Sequence, residues 1–209
     1  GVLRGGIMYR PELKVLDCTI RDGGLINKWQ FSDELVRETY KAVAEAGVDY
    51  MEIGYKASAG LFDPKEYGKW RFCNDDAIKE VLDGVELKTK LACMVDIGRV
   101  EKEDILDVND SPFSMIRVAC YQHQIDKAID LAKMIEDKGY ETTINIMAVS
   151  TNLEKDIDEA LEQLSHTDTP YVYVADSFGS MFCEDITFLV EKYKEFLPNK
   201  TIGVHTHNN

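Results

Sequence analysis

The first apolar run of the chain leads into the sequence Asp17-Cys18-Thr19-Ile20-Arg21-Asp22-Gly23-Gly24, and the last one ends in His205-Thr206-His207-Asn208-Asn209. These segments lie at opposite ends of the chain, yet each follows a run with the composition of a β-strand. In a parallel β/α barrel, the ends of the first and seventh strands face one pocket. The two segments therefore predict a site at which an arginine, a carboxylate and two imidazoles meet.

Short apolar runs alternate with longer segments of helical periodicity along the chain. Strands that alternate with helices pair in parallel through right-handed crossovers, either in an open doubly wound sheet or in a closed barrel. Polar residues end several of these runs, and barrels use many strand ends to build a site, so we predict an α/β fold of the TIM (β/α)8 type. No G-x-G-x-x-G motif follows the first run, which disfavours a dinucleotide-binding sheet. The seven predicted strands are Leu13–Thr19, Tyr50–Tyr55, Leu87–Val95, Met115–Tyr121, Thr142–Val149, Tyr171–Asp176 and Thr201–His207.

Four segments carry the end signals of helices. Ser32 is a candidate N-cap for a helix that ends at Gly47. A second apolar stripe covers residues 125–135, and residues 151–154 fit a capping box before a third. The fourth predicted helix ends before Pro198.

The chain is shorter than a complete barrel. Its 209 residues compare with about 250 for a typical (β/α)8 domain, and the seventh predicted strand lies at its end. We therefore expect residues 1–209 to form a single barrel domain that is truncated after the seventh strand. A partner subunit or a further segment would close this barrel, and the open strand edges favour a homo-oligomer.

The charge balance excludes some classes of partner. The chain has 38 acidic and 24 basic residues and a net charge of −14, which argues against binding to nucleic acid or to an anionic membrane. No apolar run is long enough to span a membrane, and the first residues do not resemble a secretory signal. Five cysteines without C-x-x-C spacing fit a reducing cytoplasm, and Cys18, Cys93 and Cys120 are predicted to be small core residues.

His205 and His207 are two of the four histidines in the chain, and one residue separates them on a predicted strand. Their side chains therefore point to the same face, roughly 7 Å apart along it. Two imidazoles at this spacing can chelate one metal ion, although hydrogen-bonded core histidines are the alternative. Asp22 is the carboxylate that would complete the site, with a turn residue as its alternative role, because Asp-Gly-Gly is typical of turns. Mixed oxygen and nitrogen ligands admit Mn, Mg, Co or Zn.

Charged residues within apolar runs need partners, because an unpaired buried charge is costly. Glu52 lies in the middle of the second predicted strand, and an ion pair with Arg21 is the simplest arrangement. That pair would orient the Arg21 guanidinium, whose donors suit a carboxylate or an enolate oxygen, whereas a surface arginine is the alternative. Arg117 is expected to pair with a carboxylate on a neighbouring strand. Asp176, at the end of the sixth predicted strand, would likewise need a partner if it is buried.

The motifs at residues 16–24, at Glu52 and at residues 205–209 resemble the signature of the DRE-TIM metallolyases. That superfamily of TIM-barrel enzymes includes 4-hydroxy-2-oxovalerate aldolase, hydroxymethylglutaryl-CoA (HMG-CoA) lyase, 2-isopropylmalate synthase and homocitrate synthase. The resemblance extends along the chain in order and spacing. Residues 117–119 and 175–177 are most similar to the branch of 4-hydroxy-2-oxovalerate aldolase.

The resemblance implies a metal site and an enolate site. Asp22, His205 and His207 would bind a divalent metal, for which the family favours Mn or Mg. Arg21 would stabilise the enolate, and Glu52 would belong to the same polar cluster. The implied substrate is a small 2-oxo acid, and the implied reaction cleaves or forms a 4-hydroxy-2-oxo acid through a pyruvate enolate.

The sequence departs from this branch at the group that transfers the proton. The aldolases place a histidine shortly after Arg-Asp-Gly, whereas residues 24–27 here are Gly-Leu-Ile-Asn. A second histidine of the branch is replaced by Tyr121, with His123 nearby, so Tyr121 and His123 are the candidates for this role. Three alternatives stay open: a Claisen-type acyl-CoA lyase or synthase on the same scaffold, a non-catalytic barrel that binds metal or a 2-oxo acid, and a partner-binding barrel fragment with structural histidines.

Overall fold

The structure, a computed structural model, describes residues 12–147, 154–175 and 181–205. Within these ranges, seven strands form one parallel sheet in which each strand pairs with the next along the chain. Helices alternate with the strands, which confirms the predicted α/β fold: seven strands of a TIM-type barrel. The strands are β1 (Leu16–Asp17), β2 (Tyr50–Tyr55), β3 (Lys90–Asp96), β4 (Phe113–Cys120), β5 (Glu141–Ile146), β6 (Tyr171–Ala175) and β7 (Thr201–His205).

The predicted helices are present, and their ends agree with the local signals. Ser32 Oγ accepts a hydrogen bond from Leu35 N at 3.1 Å and caps the second helix as expected. Residues 151–153 of the predicted capping box lie outside the described residues. In the described part of the chain, none of the helices has the length and apolar character needed to cross a membrane. The helices are α1 (Thr19–Asn27), α2 (Asp33–Glu45), α3 (Asp75–Val81), α4 (Ile125–Asp137), α5 (Glu154–Ser165) and α6 (Cys183–Phe196).

The core lies between the sheet and the surrounding helices. All six residues of β2 are buried, as expected for a parallel strand that is covered on both faces. Helix α2 buries Val36 and Tyr40 against it, and the Tyr40 hydroxyl donates a hydrogen bond to Thr89 O at 2.6 Å. This packing fixes the strands and brings their carboxyl ends to one rim.

The first predicted strand is wrong in its length. β1 covers only Leu16–Asp17, and Arg21 and Asp22 lie on α1 instead of in a turn. The Asp17 carboxylate accepts hydrogen bonds from Thr19 N at 3.2 Å and Thr19 Oγ1 at 2.8 Å, which favours a helix start here. Cys18 is therefore the residue between strand and helix, and it does not belong to the strand core.

The end of β2 pairs irregularly with β3 and lies close to the loop that follows it. The register between β2 and β3 shifts between Glu52 and Tyr55. A Cβ at Gly54 would lie 1.9 Å from the Trp70 carbonyl oxygen, so only glycine allows this close approach. The contact seats the short 3-10 helix Lys69–Arg71 against the end of the strand and brings Arg71 beside the rim.

Candidate active site

A buried network of ion pairs lies directly beneath the rim of the barrel. Glu52 on β2 has no exposed surface, and its Oε1 accepts a hydrogen bond from Arg21 Nε at 2.7 Å. Its Oε2 accepts one from Arg117 Nη1 on β4 at 2.8 Å. The predicted pair of Arg21 with Glu52 is present. Arg117 also pairs with a carboxylate, as expected, but that carboxylate lies on β2, which β3 separates from β4, and not on a neighbouring strand.

The charges of this network stabilise one another. Burial disfavours the charged form of Glu52, but Arg117 and Arg21 outweigh burial and lower the pKa of Glu52. Burial also opposes the charge on Arg21, but Glu52, Tyr55 and Asp22 outweigh it and raise the pKa of Arg21. The rim therefore carries a guanidinium whose position and charge are both fixed.

Arg21 holds Asp22 as well as Glu52. Arg21 Nη1 lies 2.5 Å from Asp22 Oδ1, and Asp22 Oδ2 lies 3.4 Å from His205 Nε2. Helix α1 supplies the cation and the carboxylate from adjacent positions, and the end of β7 supplies the imidazole. The structure thus brings together three residues that the sequence places at one site.

Cys18 joins this cluster, which its sequence context did not reveal. Its Sγ lies 3.4 Å from Asp22 Oδ2 and 3.9 Å from His205 Nδ1. Burial and the Asp22 carboxylate raise the pKa of the Cys18 thiol to about 12, so the thiol is neutral and donates a hydrogen bond to Asp22. The signal that could have identified Cys18 is its position at the end of β1, where barrel sites form.

The donor atoms of the cluster fit a divalent metal ion. One ligand atom each from Cys18, Asp22 and His205 lies within 4.8 Å of the others. A carboxylate oxygen and an imidazole nitrogen 3.4 Å apart can contact one ion at about 2.0–2.2 Å. Oxygen and nitrogen donors admit Mn, Mg, Co or Zn, and a sulfur donor is a poor ligand for hard ions such as Mn or Mg.

A cavity of about 430 Å³ opens above the cluster at the carboxyl ends of the strands. Arg21, Asp22 and His205 form part of its lining, so charged groups and a candidate metal site face the same space. Its volume is typical of a site for a small molecule. Apolar side chains complete the wall, among them Leu25, Met94, Ile97 and Met147.

The two candidates for proton transfer differ in position. Tyr121 lines the cavity and is half-exposed, with 45% of its surface accessible. His123 stacks on it with ring centroids 5.9 Å apart, and His123 is not among the residues that line the cavity.

His207 and Asp176 lie outside the described residues, so their roles stay predictions.

Asp96 and Arg99 also line the cavity, although their sequence context suggested no specific role. Asp96 is the last residue of β3, and Arg71 Nη2 and Arg99 Nη1 each lie 3.6 Å from its Oδ2. The available signal was a carboxylate at the end of an apolar run. Arg71 comes from the loop after β2, whose fold no local pattern predicted.

Comparison with known proteins places these residues in context. No protein-family model matches the chain. Over 200 residues it is 28% identical to 4-hydroxy-2-oxovalerate aldolase of Pelotomaculum thermopropionicum, covering 95% of this chain and 58% of the relative. Over 202 residues it is 25% identical to the protein of the same name from Geobacillus genomosp. 3, and the match covers 97% of this chain and 59% of that relative. The chain thus spans less than three-fifths of the length of these curated relatives.

Solved structures with the same fold carry related names. The N-terminal domain of a proposed aldolase from Bacteroides vulgatus superposes with a TM-score of 0.77 at 28% identity, covering 94% of this chain and 65% of that one. HMG-CoA lyase from Bacillus subtilis superposes with a TM-score of 0.67 at 16% identity, covering 96% and 70%, which shows the fold alone. The chain is therefore similar in sequence to the 4-hydroxy-2-oxovalerate aldolases and shares the TIM-barrel fold of HMG-CoA lyase.

Proposed function

We propose that this chain carries the active site of a divalent-metal-dependent carbon–carbon lyase of the DRE-TIM metallolyase superfamily. In this proposal it acts as an aldolase that cleaves or forms a 4-hydroxy-2-oxo acid through a pyruvate enolate. The observation that carries the proposal is the approach of Asp22 Oδ2 to His205 Nε2, at 3.4 Å, beside a buried arginine. The names of the relatives support the same reaction class.

Asp22 and His205 would hold the metal, with His207 as the third protein ligand. A divalent ion bound there supplies Lewis acidity toward the keto and carboxylate oxygens of a 2-oxo acid. Mixed oxygen and nitrogen ligands admit Mn, Mg, Co or Zn, and the resemblance to the superfamily favours Mn or Mg. With Mn or Mg in the site, Cys18 would orient Asp22 through its thiol hydrogen bond, because a soft sulfur donor is a poor ligand for either hard ion.

Arg21 would stabilise the negative charge that develops on the enolate oxygen. Its Nε is held by Glu52 and its Nη1 by Asp22, so the guanidinium cannot turn away when the charge appears. A donor that is oriented before the reaction stabilises the transition state without a cost of reorganisation. Glu52 is thus a positioning residue, because it is fully buried and acts through Arg21.

Tyr121 is the better placed of the two residues that the sequence suggests for proton transfer. It lines the cavity, whereas His123 packs behind its ring and would act only by orienting it. In this position the Tyr121 hydroxyl can donate a hydrogen bond to the substrate.

Cleavage of 4-hydroxy-2-oxovalerate by the protein that carries this chain tests the proposal. We expect pyruvate and acetaldehyde to appear when Mn²⁺ or Mg²⁺ is present, and the reaction to stop when the metal is chelated. Asp22→Asn and His205→Ala should abolish turnover. Full activity of either variant, or cleavage of an acyl-CoA substrate with none of the hydroxy-oxo acid, would overturn the proposal.

A further inference from the structure

Asp96 lies on the side of the cavity opposite His205, one of the candidate metal ligands. It ends β3, and three strands separate β3 from β7 in the order of the sheet. Strands at this separation in an eight-stranded barrel stand on opposite sides of the mouth. Asp96 and His205 therefore line the same cavity from opposite walls.

Two arginines hold Asp96 at one oxygen. Arg71 Nη2 and Arg99 Nη1 each lie 3.6 Å from Asp96 Oδ2. With 16% of its side-chain surface exposed, the carboxylate has access to the cavity.

Arg71 is a fixed support for this carboxylate. Its side chain is 3% exposed, and its guanidinium carbon lies 4.1 Å from the ring centroid of Phe62 and 4.3 Å from that of Tyr55. A third ring, that of Trp29, lies 5.0 Å away. A guanidinium enclosed by aromatic rings has little freedom to swing into the cavity, so it orients Asp96 instead of binding substrate directly.

The surroundings of Asp96 suit a group that exchanges a proton. Burial raises the pKa of Asp96, and the charges of Arg71, Arg99 and Arg21 lower it without cancelling the effect of burial. Among the described residues, Tyr55 also interacts with Asp96, and burial raises the pKa of Tyr55. A carboxyl group with a raised pKa takes up and releases a proton more readily near neutral pH.

We propose that Asp96 is the acid/base residue for the C4 hydroxyl of the substrate, an inference that rests on the proposed function. Asp96 accepts the hydroxyl proton as the C3–C4 bond breaks. The oxygen electrons form the aldehyde carbonyl, and the electron pair of the C3–C4 bond passes into the enolate that Arg21 stabilises. A proton from water then converts C3 of the enolate into the methyl group of pyruvate, and Asp96 returns its proton to water.

A carboxylate fits this step better than the phenol of Tyr121. A carboxylate accepts a proton directly, whereas a phenol must first lose its own. The position of Asp96 agrees with the shape of the substrate, because the C2 keto end would lie at Asp22 and His205. The C4 hydroxyl would then point toward the wall that carries Asp96, across the cavity from His205.

A comparison of two reactions of the same protein tests the role of Asp96 separately from the formation of the enolate. Decarboxylation of oxaloacetate forms the same pyruvate enolate but has no C4 hydroxyl proton to remove. In Asp96→Asn, we expect kcat/KM for aldol cleavage to fall by at least about 100-fold. Oxaloacetate decarboxylation should stay within about threefold of wild type, and Asp96→Glu should recover part of the cleavage activity. Asp137→Asn, an exposed matched substitution on α4, should change neither reaction.

The pH profile is a second readout. The acidic limb of kcat/KM for cleavage should be present in the wild type and absent in Asp96→Asn. Cleavage by Asp96→Asn at the wild-type rate would overturn the role of Asp96, and so would an equal loss of both reactions in Asp96→Asn and Asp96→Glu. A wild-type protein that catalyses neither reaction would instead overturn the proposed function.

Discussion

Glu52 Oε1 lies 2.7 Å from Arg21 Nε, in a place where Glu52 has no exposed surface and Arg21 has 7%. A second arginine, Arg117, reaches the other carboxylate oxygen at 2.8 Å. Two buried cations therefore share one buried anion, and Arg21 also pairs with Asp22, which lines the cavity. This arrangement links the stability of the barrel to the orientation of its candidate enolate-binding group.

Glu52→Gln should destabilise the fold, because it removes the carboxylate that pairs with the buried Arg117 and leaves Asp22 as the carboxylate that pairs with Arg21. Removing one partner of a buried ion pair costs about 3 kcal/mol or more. Urea denaturation at neutral pH should show this loss in the free energy of unfolding. Glu38→Gln is the matched control, since Glu38 pairs with Lys41 on the exposed side of α2, and its denaturation midpoint should equal that of wild type.

The contribution of Glu52 to the free energy of unfolding should decrease as the pH falls. Because its folded-state pKa is lowered, Glu52 adds stability above the ordinary glutamate pKa of about 4.3. That stability is lost as the pH falls through the folded-state value. The difference in unfolding free energy between wild type and Glu52→Gln should therefore shrink on acidification, and a difference that grows would contradict the assigned charge state.

Arg21→Lys should reduce kcat while metal binding persists. Lysine keeps the charge but cannot bond Glu52 and Asp22 from one rigid planar group. Loss of an oriented donor to an oxyanion typically lowers kcat by about 10²–10³. Steady-state kinetics together with a Mn²⁺ titration check this, and a variant with unchanged kcat would show that Arg21 does not contact the enolate.

Substitution of the proposed metal ligands should weaken metal binding far more than substitution of Cys18. Asp22→Asn and His205→Ala should weaken Mn²⁺ binding by more than about tenfold, because each removes a donor atom. Cys18→Ser should leave the affinity within about threefold, since a neutral thiol contributes little to a site for a hard ion. Calorimetric titration of the folded variants distinguishes the two classes. A larger loss of Mn²⁺ affinity in Cys18→Ser than in His205→Ala would show that Cys18 is a metal ligand.

Gly24→Ala should disturb both the fold and the site. A Cβ at Gly24 would lie 2.0 Å from Trp29 Cδ1, and the Trp29 indole donates a hydrogen bond to Arg21 O at 2.9 Å. Overpacking of this kind costs about 1–3 kcal/mol. Thermal unfolding should show the loss, whereas Gly60→Ala should not, because its Cβ would approach only Ser58 Oγ, at 3.7 Å.

The alternation of apolar runs and helical stripes was enough to predict the parallel strands and most helices, since buried strands and amphipathic helices have different periods. The region after β1 was harder. Asp-Gly-Gly is common in turns, but here Gly24 lies inside α1. The ring of Trp29 occupies the space that a side chain at position 24 would need. Local propensity could not reveal this tertiary requirement.

The candidate site was predictable where chemistry and strand position agreed. Arg21, Asp22 and His205 followed from polar groups at strand ends, and Glu52 followed from the cost of an unpaired buried charge. The support of Asp96 by Arg71 could not be foreseen, because it depends on how the loop after β2 packs on Tyr55 and Phe62. Contacts between a loop and a strand end leave no periodic signal.

Proton exchange at the methyl group of pyruvate is the most direct test of the proposed enolate chemistry. The protein that carries this chain, with any natural C-terminal continuation, would be incubated with pyruvate in D₂O, with and without Mn²⁺ or Mg²⁺. Mass spectrometry should show deuterium in the methyl group only when metal is present, and none with Asp22→Asn. Absence of exchange in a wild-type protein that binds metal stoichiometrically would contradict the proposal that this site forms a pyruvate enolate.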